Sequence, residues 1–401
     1  MLLCACAQHS TRPMELPDVA EHLLIRAALV CLHKPERIMS QRIGGETHMS
    51  RNMYSLVAAL ALACASVTSH AQSALTSRYS LTLLQPPGEQ QPGLVNIADI
   101  NNSNEIVGSH AAPNRSGARS FIWRNGIFRE LTPLLGERNA SPRSINEKSA
   151  ILGTIDFVHA FVIQRGRVTE IAPPAGESFF DVRNLNNRGQ ALFRTHIDPI
   201  GFNNYVWQDG QFIRLEPLPD SSLTQAARIN DRGTVVGTAF LPEFGTSVAV
   251  LWQSGTIMPL ASPEGARDVN GIDVNNRGVV LLDALFLSAP SHRSAFLWRE
   301  GELTELPALP GTNDVQLFDL SNRGQVVGLT PTDFGADSVA TLWEHGRVFD
   351  LNTRIASDEP LQPFVHLTSA EMINDNGWIV GGGIDSRDPN GRLSFYLLTP
   401  R

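Results

Sequence analysis

The chain has 401 residues, 42% of them hydrophobic and 18% charged, which excludes a disordered or fibrous protein. Its net charge is −8, and Lys148 is the only lysine after residue 71. An acidic surface without basic runs argues against nucleic acid or anionic lipid as a partner.

Reading from the N-terminus, residues 1–48 are taken as an extension from an upstream start codon, and residues 49–71 as a signal peptide beginning at Met49 or Met53. Arg51 supplies the positive flank, Ser55 to Val67 the apolar core, and Ser69-His70-Ala71 a small-x-small cleavage site. The apolar run is about 13 residues, short of the roughly 20 that span a bilayer, so export to the periplasm or the exterior is expected, without a transmembrane anchor. Cys4, Cys6, Cys31 and Cys64 all precede the cleavage site. The mature chain is therefore expected to use no disulfide, no thiol chemistry and no cysteine-bound zinc.

After a linker at 72–78, residues 79–400 form one domain built on a repeated nonapeptide. Its copies are INNSNEIVG (100–108), INEKSAILG (145–153), LNNRGQALF (185–193), INDRGTVVG (229–237), VNNRGVVLL (274–282), LSNRGQVVG (320–328) and INDNGWIVG (373–381). Successive starts lie 40 to 53 residues apart, the length of a four-stranded propeller blade. A second motif follows each copy but the last: FIWRNG (121–126), FVIQRG (161–166), YVWQDG (205–210), VLWQSG (250–255), FLWREG (296–301) and TLWEHG (341–346). Each repeat thus reads as strand A, an Asn-rich turn, strand B, a variable loop, strand C, an x-Gly turn and strand D.

The seventh copy runs out at SFYLLTPR (394–401) after strand C, while YSLTLL (79–84) precedes the first strand A. The expected fold is all-β: a seven-bladed β-propeller of four-stranded antiparallel blades, closed by the N-terminal strand completing the last blade. Trp123, Trp207, Trp252, Trp298 and Trp343 share one position on strand C and are expected in the core between blades.

These repeats resemble the extracellular HAF repeat family, in which an INxRGQVVG-like turn is coupled to a His-Ala-Phe-Leu-Trp-like strand. His159-Ala160-Phe161 matches the family's name, and Ser294-Ala295-Phe296-Leu297-Trp298 keeps all but the His. The resemblance covers residues 79–400 and implies export and a repeat scaffold. It brings no catalytic residues.

Three readings of INDRGTVVG compete: a metal loop, a phosphate cradle and a tight turn. The position before the motif holds Asp99, Asp273 and Asp319 in three repeats, but Ser144, Asn184, Arg228 and Met372 in the others, and no distal Glu follows, so no metal site is expected. A phosphate cradle needs its glycines in a loop that opens a helix, whereas here the second Gly is read as ending strand B. A turn with the first Asn accepting backbone N–H groups explains the pattern.

No nucleophile elbow occurs and the mature histidines are scattered, so no catalytic residue and no cofactor is assigned. The turns A to B and C to D fall at one end of a blade, and the variable B to C and D to A loops at the other, where binding is expected. The candidate contacts there are His110, Arg115, Arg119, Arg194, His196, His292, Arg293, Asp333, Asp337, Asp385, Arg387 and Asp388. The expected role is a noncatalytic, monomeric scaffold for a glycan, protein or small ligand. The alternative is a propeller hydrolase or lyase of extracellular polymers, to be recognised by carboxylates or histidines converging at the channel mouth with perturbed titration.

Overall fold

Alternating apolar and polar residues on either side of a Gly-containing turn favour strands paired as hairpins, and every repeat folds this way. The computed structural model describes residues 78–86, 95–111, 117–136, 138–156, 158–197, 201–243, 245–312, 314–331 and 338–401. The signal-peptide and extension readings lie outside them.

The A strands are Val95–Ile100, Ala140–Ile145, Ser178–Leu185, Leu223–Ile229, Asp268–Val274, Gln316–Leu320 and Val365–Ile373. Each starts an antiparallel meander in chain order. In the seventh repeat, the place beside strand C (Leu393–Pro400) is taken by Tyr79–Leu83, with Tyr79 opposite Pro400 and Leu83 opposite Tyr396.

Separate four-stranded blades were expected throughout, and repeats 4 and 5 depart from this. A single parallel pairing of Ser247 with Asp268 joins them into one eight-stranded sheet. The physical cause is local, since the Ser247 hydroxyl bonds the Asp268 carboxylate and draws the two strand ends together.

The apolar core is divided among the contacts between repeats. Leu192 and Val206 of repeat 3 pack with Ile229, Val250 and Trp252 of repeat 4. Tyr79 and Leu81 pack with Leu342 of repeat 6 and with Leu367 and Leu398 of repeat 7. Trp123, Trp252 and Trp343 are buried in such layers, while Trp207 and Trp298 are half-buried at their margins. One repeat alone would leave both faces wet.

The second Gly of the motif does not end strand B. Gly237 lies inside Val235–Phe240, facing a bulge in strand A between Ala226 and Arg228. A Cβ on Gly237 would sit 2.1 Å from the Gln225 carbonyl oxygen, and one on Gly328 equally close to that of Gln316. This close approach is what the glycine permits. A register shift recurs in the A to B pairing of all seven repeats. Bulges re-aim side chains, and here the residue before each motif lies beside the bulge.

Removal of residues 78–84 deletes the ladder to Leu393–Pro400 and the buried side chains Tyr79, Leu81 and Leu84. At about 1.5–3 kcal/mol per buried side chain, the truncated protein should lose most of its cooperative thermal transition. An unchanged melting temperature would show that this strand is dispensable.

Candidate functional site

The Asn-rich turns of all seven repeats converge on one cavity of about 170 Å³. Three columns of the motif build it. The first Asn of the motif is buried and works in two directions. In repeat 4, Asn230 Oδ1 accepts from Arg232 N and Thr234 N, closing its own turn. Its Nδ2 donates to the Asn275 carbonyl of the next repeat at 2.9 Å. The same inter-repeat bond runs from Asn101 to Asn146, Asn146 to Asn186, Asn186 to Asn230, Asn275 to Ser321 and Asn374 back to Asn101. Ser321 has no amide to donate, so this link to Asn374 is missing.

The second column holds Asn102, Glu147, Asn187, Asp231, Asn276, Asn322 and Asp375. Each backbone N–H in it donates to the side-chain oxygen of the next repeat, at 2.6 to 2.9 Å. The last of these bonds, from Asp375 N to Asn102 Oδ1, returns to the first repeat.

The third column is the residue before the motif. Asp99, Ser144, Asn184, Asp273 and Asp319 each accept the backbone N–H of the apolar residue that opens the next motif. Arg228 and Met372 have no acceptor to offer. In both cases the Asp of the following repeat takes over that N–H itself: Asp273 accepts from Val274 and Asp99 from Ile100.

Arg228 instead lies 3.8 Å from Asp273 and 3.6 Å from Asp319. Protein surrounds it, yet 30% of its side chain remains open to the cavity. Burial works against its charge, but Asp273, Asp319 and Asp99 together hold its pKa above the ordinary guanidinium value. Burial raises Asp99 to about 6 against the pull of Arg228. Asp319 is pushed up as well, by burial first, with Arg228 opposing and Asp273 reinforcing. Glu147 is raised to about 7 by burial and by Asp375, Asp99 and Asp231, a push that water on its exposed side weakens.

The side chains expected to bind ligand do not converge on this cavity. Arg194 pairs with Asp181 and Gln225, Arg293 with Asp268 and Asp283, Arg387 with Asp385, and Arg119 with Glu130. His110 packs near Phe121, His196 against Phe202, and His292 stacks on Phe286 at 5.1 Å. Asp388 caps the N–H of Asn390. These are separate local contacts in different repeats. Arg115, Asp333 and Asp337 lie outside the described residues. The sequence reading weighed Asp99, Asp273 and Asp319 only as metal ligands and did not single out the second column, acidic or Asn in every repeat.

No protein-family model matches the chain, and no curated protein does. Solved structures do resemble it. An oligogalacturonate lyase from Vibrio parahaemolyticus is 8% identical with a TM-score of 0.53, over 80% of this chain and 97% of that one. An acylaminoacyl peptidase from Pyrococcus horikoshii is 12% identical with a TM-score of 0.53, over 77% of this chain and only 52% of that one. The β-propeller domain of the Trilobed protease from Pyrococcus furiosus is 10% identical with a TM-score of 0.49, over 77% and 94%. The chain is thus all-β and similar in fold to the lyase and to part of the peptidase.

Two outcomes follow from the columns. Ser321→Asn should supply the missing bond to the Asn374 carbonyl and raise stability by about 1 kcal/mol, measurable by urea denaturation; a loss of stability would mean that the site cannot hold the amide. Asp99 and Asp319 bind protons more tightly folded than unfolded, so the stability they contribute is fully present below their unfolded value near 3.8 and is lost as pH rises through about 6 and beyond. The melting temperature should therefore fall between mildly acidic and mildly alkaline pH, and a rise across that window would contradict the assignment.

Proposed function

We propose that the protein is an exported, seven-bladed β-propeller, closed by strand Tyr79–Leu83, that acts as a hydrolase or lyase on an extracellular polymer at the mouth of its channel. The strand pairing with Leu393–Pro400 and the hydrogen bonds returning to repeat 1 support the blade count and closure. The signal-peptide pattern and the HAF resemblance support export.

The observation that carries the catalytic reading is the convergence of Asp99, Glu147 and Asp319, with raised pKa values, on one cavity beside Arg228. Carboxyl groups whose environments hold some protonated near neutrality and leave others ionised can divide general acid and base work. Glu147 is the best placed proton donor. Its carboxylate accepts one backbone N–H, from Asn102, and is otherwise open to the cavity.

A second reading keeps the protein a noncatalytic binding scaffold. It is favoured by the structural duty of Asp99, Asp273 and Asp319, each of which accepts an inter-repeat N–H. The mouth would then be a clamp and binding would belong to the variable loops.

A turnover screen on polysaccharides and peptides separates the two. Under the first reading one polymer is cleaved, and Glu147→Gln, which still accepts from Asn102, lowers kcat by roughly a hundredfold or more with little change in melting temperature. No turnover on any polymer would leave the scaffold reading, and full activity in the variant would remove Glu147 as the proton donor.

A further inference from the structure

Position 228 departs from the rule of its column in a way that folding does not require. Five of the seven side chains at this place accept the next repeat's N–H, and Asn184 shows that an uncharged residue does so well. The other exception, Met372, packs against the apolar layer around Ile97 and Leu397. Arg228 gives up the acceptor and gains no hydrogen bond among the described residues. Its carboxylate neighbours stand at 3.6 and 3.8 Å, beyond hydrogen-bonding reach. A guanidinium with unspent donors therefore faces the cavity. Ion pairing with Asp273 and Asp319 is its structural return among the described residues, and breaks of a local rule are expected where a site acts.

The charge around it limits what can bind. Asp99, Glu147, Asp231, Asp273, Asp319 and Asp375 line the cavity, and among the described residues Arg228 is the sole cation in its lining. Protonation of the raised groups reduces this excess without reversing it. An anionic chain would meet net repulsion, and Arg228 is already electrostatically matched by Asp273 and Asp319. A neutral sugar offers hydroxyls that accept from the guanidinium and donate to the carboxylates and amides. An amino sugar adds a cation that the excess acid favours.

We infer that Arg228 is a specificity-determining residue, and that the mouth takes a neutral or cationic polyhydroxy chain and rejects polyuronates. This rests on the proposal that the mouth is the working site. Because β-elimination needs a proton made acidic by an adjoining carboxyl group, rejection of uronates also favours hydrolysis over lyase chemistry.

Titration calorimetry of the full chain with three 1,4-linked hexasaccharide probes, of β-linked glucose, β-linked glucosamine and α-linked galacturonate, tests this near neutral pH and low salt. The glucosamine hexamer should bind tightest, the glucose hexamer more weakly, and the galacturonate hexamer least. Arg228→Gln should weaken the glucose hexamer by about tenfold, the loss of one charge-assisted hydrogen bond, while the glucosamine hexamer loses less because the mouth becomes more acidic. A merely structural role would weaken both equally, and that result overturns the inference, as does tightest binding of galacturonate or no binding of any hexamer. Cleavage of polygalacturonate would overturn it while leaving the catalytic proposal standing. Binding in the expected order without cleavage would uphold it while removing the catalytic proposal.

Discussion

The hydrogen bond from one repeat's turn to the next repeat's turn is the constraint on which this fold depends. Asn230 closes its own turn with Oδ1 and reaches Asn275 with Nδ2, so local shape and neighbour contact share one side chain. An isolated repeat would leave these amides and N–H groups unpaired beside exposed apolar faces, at about 1–3 kcal/mol for each polar group left buried and unpaired. The compensations show how strict the requirement is. Where Arg228 and Met372 cannot accept, Asp273 and Asp99 turn one oxygen to the N–H of their own successor. The other oxygen of each still serves the next repeat.

Repeats and turns were legible in the sequence because their chemistry is local. An Asn that accepts from residues two and four positions ahead, and a Gly held at φ near 82° in Gly233, leave a mark within nine residues. The inter-repeat bonds were not legible in any single copy, since each partner lies 40 or more residues away. Aligning the copies brings the second column into view, but only the fold shows that its side chains accept from neighbours. The glycine inside strand B was misread for a related reason. Its partner is the Gln225 carbonyl across a bulge, and nothing in VVG announces a bulge.

That bulge also sets a second group of variable residues apart from the variable loops. Variable loops draw attention because they differ, and a stereotyped turn looks purely structural. Yet the irregularity in strand A lets the residue before the motif reach the cavity in six repeats while the motif keeps its turn. Conserved geometry thus presents six variable side chains, three aspartates, a serine, an asparagine and an arginine, while the seventh, Met372, packs in the apolar layer. Variation thus occurs in a column as well as in loop length.

Separating clamp from site then becomes a question of which acidic residues the clamp explains. Asn is sufficient as an acceptor in the second column, as Asn187, Asn276 and Asn322 show. Asp231 and Asp375 use a carboxylate for a structural reason, because one oxygen of each accepts two Asn amides at once. Asp99 adds the Ser144 hydroxyl to its backbone bonds, and Asp273 and Asp319 balance Arg228. Among the described residues Glu147 has no such second partner. It accepts from Asn102 alone, a task the shorter, neutral Asn performs elsewhere in the ring. It is the side chain whose charge the architecture leaves unaccounted for, and it faces the same cavity as Arg228.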